Sequence, residues 1–352
     1  MRLIPLMVPR RRHIVPVVAR GTVVALIVGI VVAGSAVPAG AHQEWFVNAP
    51  EAYPLDFGAL LRPGVVFAAA AAVAVTLLLR PVAARLPTPE LAVIKPARRL
   101  GSLVPWVPRL LAAHLGVSLL VLAFDRVVLD PGIDVPEGVG GTLLLVPQAM
   151  VGGLLIAGVL VRAASVAIML TGPLLVALQG PEALVTLAVF VGSAAFLFVL
   201  PPRLNDGGRT DLDLATLRRA TFGLKLGAGV TLISLAIVEK LANPEMARAM
   251  LEQEPLLNLL APFGVSADAF AVVAGSVELL LGLLVISGAL PQVVAILTAV
   301  PFTATLALFG ATEFLGHLPL YGVLLSFLVL GSLEETSHSL SGLRRRAGVP
   351  TH

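Results

Sequence analysis

The residue that stands out chemically is Glu278, a single carboxylate near the middle of the apolar stretch Ala271–Ser287. A stretch of this length and apolarity predicts a membrane-spanning helix. An ionisable group at that depth is costly, so it indicates either a proton-binding or ligand-binding role or a carboxylate held in an interhelical hydrogen bond. Gly275 and Gly282, on either side of it, would let a neighbouring helix approach closely.

A second carboxylate, Glu313, lies four residues before His317, at the predicted start of the last helix. This spacing places both side chains on one helical face. A carboxylate beside an imidazole would suit proton exchange with a reduced quinone or the orientation of a metal ligand. The alternative is a helix cap, because Glu is favoured near a helix N-terminus. Glu278, Glu313 and His317 are therefore the candidate catalytic residues. His114 is expected at the opposite end of the membrane from His317, which disfavours a bis-histidine haem site.

Three more charged residues lie in the same half of the chain. Lys225 is predicted in the first turns of its helix, and Glu239 and Lys240 are predicted to close that helix on the external side. All three are candidates for contacting a bound cofactor. For the adjacent acid and base, the alternative is anchoring at the membrane surface, with the charged groups extended to water.

A possible metal ligand lies near the start of the chain. The small residues Ala39–Ala41 follow a basic region and the apolar run Gly21–Val37, a pattern typical of a secretory signal that is cleaved. Cleavage after Ala41 would make His42 the mature N-terminus, whose amine and imidazole could bind an ion such as Cu(II). The alternatives are an uncleaved anchor helix and a His42 that merely begins the mature chain.

The composition indicates a polytopic membrane protein. Of the 352 residues, 57% are hydrophobic and only 13% charged, whereas soluble domains carry about 25% charged residues. The basic residues fall in loops, where they set orientation rather than indicate a nucleic-acid partner. The chain has no cysteine, which excludes thiol catalysis, disulfides and thiolate metal sites. A redox role would need a bound cofactor, a quinone or a partner subunit.

Nine apolar segments after the signal predict transmembrane helices. They lie near Ala59–Leu79, Leu110–Phe124, Leu143–Val161, Ala163–Leu178, Ala183–Leu200, Thr221–Leu241, Asp268–Ser287, Gln292–Phe309 and Gly316–Leu333. The Lys and Arg residues of the connections agree with one alternating topology, in which the C-terminus is cytoplasmic.

The chain is expected to divide into six parts. Residues 1–41 form a signal or anchor, and residues 42–106 an external segment, one transmembrane helix and a basic cytoplasmic loop. Residues 107–202 form a first four-helix unit, 203–220 a cytoplasmic linker, 221–333 a second four-helix unit and 334–352 a basic cytoplasmic tail.

The two units have similar sequences. Leu122–Arg126 and Ala236–Lys240 each end a predicted helix with an acid and a base, and each is followed by a proline. Both units would start on the cytoplasmic side, so the repeat is parallel. The region around Gly152 is expected to correspond to Glu278, which leaves the first unit without an intramembrane carboxylate.

About Arg218–Gly331 resembles the DoxX family of small four-helix membrane proteins. The resemblance rests on Glu239–Pro244 (EKLANP), on Gly275–Gly282 (GSVELLLG) and on Thr312–Gly322 (TEFLGHLPLYG). It implies a membrane-embedded, redox-associated role, since some relatives act as quinone-facing subunits in thiosulfate oxidation and others are linked to oxidative-stress complexes. The chain departs from a compact member by its doubled length and its external N-terminal piece, so a thiosulfate role does not carry over.

The expected fold is therefore an all-α membrane protein with two DoxX-like four-helix units in parallel tandem, preceded by a signal or anchor and one extra span. The expected location is a bacterial cytoplasmic membrane. The first functional hypothesis is a redox-associated protein that interacts with a quinone and a redox partner subunit. The alternatives are a transporter or metal- or ion-binding membrane protein and a non-catalytic scaffold.

Overall fold

A computed structural model describes residues 53–85, 91, 95–129, 135, 137–180, 183–202, 210, 213–309 and 311–333. These residues form ten α-helices with short 3₁₀ segments and contain no β-strand. The predicted signal or anchor, the candidate metal ligand His42 and the basic tail 334–352 lie outside the described residues.

The helices follow one another along the chain with connections of different lengths. They are α1 (Pro63–Ala83), α2 (Val107–Phe124), α3 (Val139–Ala157), α4 (Val161–Gln179), α5 (Leu184–Val199), α6 (Leu214–Ala236), α7 (Pro244–Gln253), α8 (Ala267–Ser287), α9 (Pro291–Phe309) and α10 (Ala311–Leu330).

Nine of these helices correspond to the nine predicted spans. Six helical stretches are long and apolar enough to cross a membrane, and α5, α9 and α10 contain shorter apolar stretches. The prediction of an all-helical, multi-pass architecture is confirmed. Several boundaries differ from the prediction by a few residues, and the starts of the first and last helices are examples. Helix α1 begins at Pro63, because proline suits the first helical position, and α10 begins at Ala311, so Glu313 and His317 lie inside that helix.

The most buried helices are α2, α5, α6 and α10. Helix α2 packs against α3, α4 against α5, α6 against α8 and α9 against α10, while the pairs α5–α6 and α2–α10 join the two halves of the chain. Helix α1 packs along α8. The remaining helices thus surround a central group of four, with α8 between α6 and α1.

The same close contact between glycines occurs in both halves. A Cβ atom added to Gly116 would lie 2.6 Å from the carbonyl oxygen of Gly152, and one added to Gly229 would lie 2.9 Å from that of Gly282. Both contacts join the first helix of a half to its second apolar helix. Only glycine allows the two backbones to come this close.

The turns that follow these second helices also match. Gly158 and Leu160 have φ values of 72° and 49°, and Gly288 and Leu290 have values of 70° and 50°. A left-handed glycine is a common helix ending, but a left-handed leucine two residues later is unusual. The α3–α4 and α8–α9 turns therefore share an uncommon backbone path.

Each half also contains a hydrogen bond from a side chain at the start of its third apolar helix to a backbone carbonyl of its last helix. The Nε of Arg162 donates to the carbonyl of Phe198 at 3.2 Å, and the Nε2 of Gln292 donates to the carbonyl of Leu328 at 2.9 Å. Both members of the second pair lie 130 positions after those of the first pair, the spacing that also separates the matching turns.

This spacing changes one expected correspondence. Gly282 lies 130 positions after Gly152, and Glu278 lies 130 positions after Gln148. The expectation that Gly152 matches Glu278 was therefore wrong by one helical turn. The first-half residue that corresponds to Glu278 is Gln148, which has a neutral amide, rather than a glycine.

The connection between α6 and α8 contains helix α7, which was not predicted. Asn243 caps it by accepting a hydrogen bond from the backbone N–H of Met246, and Pro244 occupies its first position. Apolar side chains of α7 are buried beside α8. At its outer side, Arg248 forms a two-point ion pair with Asp268, with both hydrogen bonds at 2.7 Å.

Candidate functional site

Helix α6 ends in a π-helical turn, Ile237–Leu241, which carries Glu239 and Lys240. The turn accommodates one extra residue, since Glu239 lies ten positions after Gly229 whereas Asp125 lies nine after Gly116. Single π-helical turns are rare and occur frequently at functional sites.

Glu239, Lys240 and Glu278 form one cluster, which we call the triad. The Lys240 Nζ lies 3.0 Å from Oε2 of Glu278 and 3.3 Å from Oε2 of Glu239. The side chains of Glu239, Lys240 and Glu278 are only 11%, 14% and 19% exposed. The predicted partner for the central carboxylate therefore exists, and it is a lysine shared with a second acid.

The burial of the triad excludes simple anchoring at the membrane surface for Glu239 and Lys240. An anchoring lysine extends its ammonium group to water, whereas Lys240 directs its ammonium toward the twelfth of the 21 residues of α8. The pair acts as the other half of the Glu278 site.

Gly275 makes this arrangement possible. A Cβ atom at Gly275 would lie 3.1 Å from the Cβ of Lys240 and 2.9 Å from side-chain atoms of Leu241. Gly282, two turns further along α8, meets Gly229 and Ile233 of α6 in the same way. The predicted role of Gly275 and Gly282 in close helix approach is confirmed.

Within the triad, two carboxylates share one ammonium. Buried charges are costly unless they are paired, and Lys240 contacts both acids. Buried carboxylates held in such a cluster are typical of sites that exchange a proton or bind a cation.

The chain segment before α1 is attached next to the triad. The backbone N–H of Asp56 donates to the carbonyl of Ala242 at 2.7 Å, and the side-chain amide of buried Asn243 donates to the carbonyl of Tyr53 at 2.8 Å. Ala242 and Asn243 directly follow the π-helical turn. The N-terminal segment is thus fastened to the end of the helix that carries the triad.

In the first half, Gln148 takes the position of Glu278, and its neutral amide cannot ionise. It accepts a hydrogen bond from the N–H of Leu129 at 2.9 Å and donates to the carbonyls of Leu119 and Val127. A neutral amide is satisfied there by backbone groups alone. In the second half, a carboxylate and a lysine replace this arrangement.

Lys225 lies apart from the other two predicted cofactor contacts. It precedes Glu239 by fourteen positions on α6, a rise of about 21 Å along the helix. Lys225 therefore does not lie beside Glu239 and Lys240, and its predicted contact with a cofactor stays a prediction. Lys225 faces a separate pocket at the other end of the helix.

Two of the three candidate catalytic residues, Glu278 and His317, lie at different helix interfaces. The ring of buried His317 packs edge-on against Phe302 of α9, with ring centroids 4.7 Å apart. The backbone of Glu313 belongs to α10, and its side chain lies outside the described part of the structure. Glu278 thus belongs to the α6–α8 interface and His317 to the α9–α10 interface.

His114 lies near the middle of α2 rather than at its cytoplasmic end. Its Nδ1 is 2.7 Å from the carbonyl oxygen of Leu110, and its side chain packs against Gly322 of α10. Gly322 is only five positions from His317, so the expectation that the two histidines lie at opposite ends of the membrane was wrong. The hydrogen bond to Leu110 satisfies one of the two ring nitrogens of His114.

Nothing in the described part of the chain forms a cluster of three or more histidine, aspartate or glutamate residues able to hold a metal ion. The prediction for His42 concerns a residue outside that part and stays a prediction.

Comparison with known proteins adds no relative: no family model, curated protein or solved structure matches the chain. The architecture defines the class as a multi-pass α-helical membrane protein.

Proposed function

We propose that this chain is a redox-associated integral membrane protein of the DoxX kind, in which the triad exchanges a proton with a bound quinone or similar amphiphile. The resemblance of Arg218–Gly331 to that family suggests the redox setting. The single observation that carries the proposal is the sharing of Lys240 by Glu239 and Glu278 in a buried site. We place the protein in a bacterial cytoplasmic membrane, with a cytoplasmic C-terminus.

The chemistry requires proton carriers near the quinone. Reduction of a quinone to a quinol takes two electrons and two protons, and a redox partner subunit would supply the electrons. Glu278 or Glu239 would deliver the two protons one after the other, with the triad taking up a proton from water between the two transfers, while Lys240 stays paired with the other carboxylate. The triad returns to its starting charge when it takes up a new proton from water on the external side.

The first test is the quinone content of the purified protein. The wild-type protein and the variant Glu278→Gln are purified in several mild detergents, and bound quinone is extracted and measured by absorbance. The matched control is Glu252→Gln, because Glu252 is an exposed carboxylate of α7. We expect quinone in the wild-type protein and in the control, with at least a severalfold loss in Glu278→Gln.

A wild-type protein devoid of quinone in every detergent would contradict the quinone assignment. Equal quinone in the wild-type protein and Glu278→Gln would contradict the role of the triad in it. Substrate oxidation by a partner is tested separately, by identifying proteins that copurify with the chain.

The second candidate is an ion-coupled transporter or ion-binding membrane protein. The observation that favours it is the presence of two carboxylates, Glu239 and Glu278, in one buried cluster around Lys240. Carboxylate oxygens are suitable ligands for hard cations. This candidate predicts that Na⁺ or K⁺ raises the melting temperature of the wild-type protein but not that of Glu278→Gln, in protein from which quinone has been removed.

A further inference from the structure

Lys225 is the polar residue of a pocket formed by all four long helices of the second half. The pocket is lined by Lys225 of α6, Leu284, Val285 and Gly288 of α8, Pro291 and Val294 of α9, and Phe327 of α10. Its empty space is only about 190 Å³ even with the open mouth included, so it can receive the charged end of a ligand but cannot enclose a whole one. The pocket thus presents one cation within an apolar wall.

The Lys225 side chain lies beside Gly288, which has no side chain to block it. Its ammonium group lies against Gly288, where a Cβ atom would collide with it. Gly288 ends α8 with a left-handed φ of 70°. The carbonyl end of α8 carries roughly half a negative charge, which only partly balances a full positive charge. Within the described residues, Lys225 makes no ion pair or hydrogen bond.

The matching place in the first half lacks the cation. Ala112 takes the position of Lys225, and Leu155, Val161 and Leu197 take those of Val285, Pro291 and Phe327. These four first-half residues are at most 4% exposed. Val285 and Phe327 are about equally buried, at 5% and 3% exposed, so the second half differs by its lysine rather than by its apolar wall.

The position of the pocket indicates the kind of ligand. It lies at the end of α6 that also carries Arg218 and Arg219, the end that the charge pattern predicts to be cytoplasmic. Lysines at this level of a membrane attract the anionic head groups of the cytoplasmic leaflet. The apolar wall favours a lipid over a small soluble anion, because such an anion would lose water without gaining polar partners.

We infer that this pocket is a binding site for the phosphate of an anionic phospholipid, held by the Lys225 ammonium with acyl chains against the neighbouring apolar helices. This site is separate from the triad, and its failure would leave the proposed function untouched.

The test uses the full-length protein in detergent, with lipid binding followed by native mass spectrometry. The probes are phosphatidylglycerol, phosphatidylcholine of the same acyl chains, and inorganic phosphate. The variants are Lys225→Met, Lys225→Arg and the control Arg219→Met, which removes an exposed cation from the same helix. We expect the wild-type protein to prefer phosphatidylglycerol, and Lys225→Met to lose about fivefold in that preference, the contribution typical of one lysine near an anionic surface. Lys225→Arg and Arg219→Met should keep it.

Three outcomes would overturn the inference. One is an unchanged lipid preference in Lys225→Met, which would leave Lys225 as a residue that only caps α8. Another is displacement of phosphatidylglycerol by inorganic phosphate at matched concentration, which would assign the site to a soluble anion. The third is an equal loss in Lys225→Arg. If Lys225→Met does not fold, the melting temperatures of the wild-type protein and Lys225→Arg are measured with each lipid instead. Phosphatidylglycerol should raise the melting temperature of both proteins more than phosphatidylcholine does. No such difference would contradict the inference.

Discussion

Gly275 decides how closely Lys240 can approach Glu278. Its missing side chain leaves room for the Cβ of Lys240 and for Leu241, both within about van der Waals contact of the α8 backbone. A methyl group there would push the π-helical turn away from α8. The distance between the ammonium and the carboxylate would then increase, and the buried charges would lose their mutual compensation.

The variant Gly275→Ala is therefore expected to lower the free energy of unfolding by about 1–3 kcal/mol, as overpacking does. It should also reduce quinone content as Glu278→Gln does. The matched control is Gly153→Ala, because a Cβ atom at Gly153 meets nothing within 4 Å. This control should be neutral or stabilising by up to about 1 kcal/mol. Denaturant unfolding measures both, and equal behaviour of the two variants would contradict the packing role of Gly275.

At the scale of elements, Asn243 connects three parts of the structure. Its side chain caps α7, donates to the carbonyl of Tyr53 and follows directly on the π-helical turn. The N-terminal segment is thereby attached over the triad. Loss of this amide should free the segment before it affects the helices beneath.

We expect Asn243→Ala to destabilise the protein by about 0.5–2 kcal/mol, the usual range for a lost N-cap. Amide hydrogen exchange should rise at residues 53–57. The control is Asn258→Ala, because Asn258 bonds only within its own loop, to Val265 and Leu260. Equal exchange at residues 53–57 in the wild-type protein and Asn243→Ala would show that the segment is held by other contacts.

The start of α6 offers a pH-dependent test. Asp213 accepts hydrogen bonds from the backbone N–H and the hydroxyl of Thr216, and these bonds lower the pKa of Asp213 below its ordinary value of 3.8. A lowered pKa means that the carboxylate stabilises the folded state above about pH 4 and that this contribution is lost as the pH falls through the folded-state value.

The melting temperature of Asp213→Ala should therefore fall below that of the wild-type protein at neutral pH, and the difference should shrink in acid. Asp213→Asn can still cap the helix, so it should lie between the two at neutral pH and show little pH dependence. A difference that is constant from pH 7 to pH 3 would contradict an ionised cap.

At the scale of the whole molecule, the sequence predicted the spans better than the site. Runs of apolar residues are local, so the nine apolar helices and the central position of Glu278 followed directly from them. The pairing of Lys240 with Glu278 did not, because it joins residues 38 positions apart in the chain through a π-helical turn that has no clear sequence signal. The match of Gln148 with Glu278 was hidden for a similar reason, since apolar helices align almost equally well in several registers.

Helix α7 could have been predicted. Asn243 and Pro244 form a typical helix start, and Met246, Ala247 and Leu251 are apolar at helical spacing. The connection between α6 and α8 does not stand out among the predicted helices, because its mean hydropathy is far lower than that of the spans.

The absence of cysteine from the sequence allows a direct test of topology. A cysteine introduced at Glu252 in α7 should react with a membrane-impermeant maleimide added outside intact cells. One introduced at Arg219 near the start of α6 should react only after the cells are opened. Labelling of both from the same side would contradict the alternating arrangement of the helices.

The most direct test of the proton-binding triad is infrared difference spectroscopy of the purified full-length protein between acidic and alkaline pH. The account predicts a carbonyl band of a protonated carboxyl group in an apolar setting, present in the wild-type protein and in Glu252→Gln and lost or shifted in Glu278→Gln. A spectrum of Glu278→Gln identical to that of the wild-type protein would contradict it, because the buried carboxylates would then take no part in proton binding.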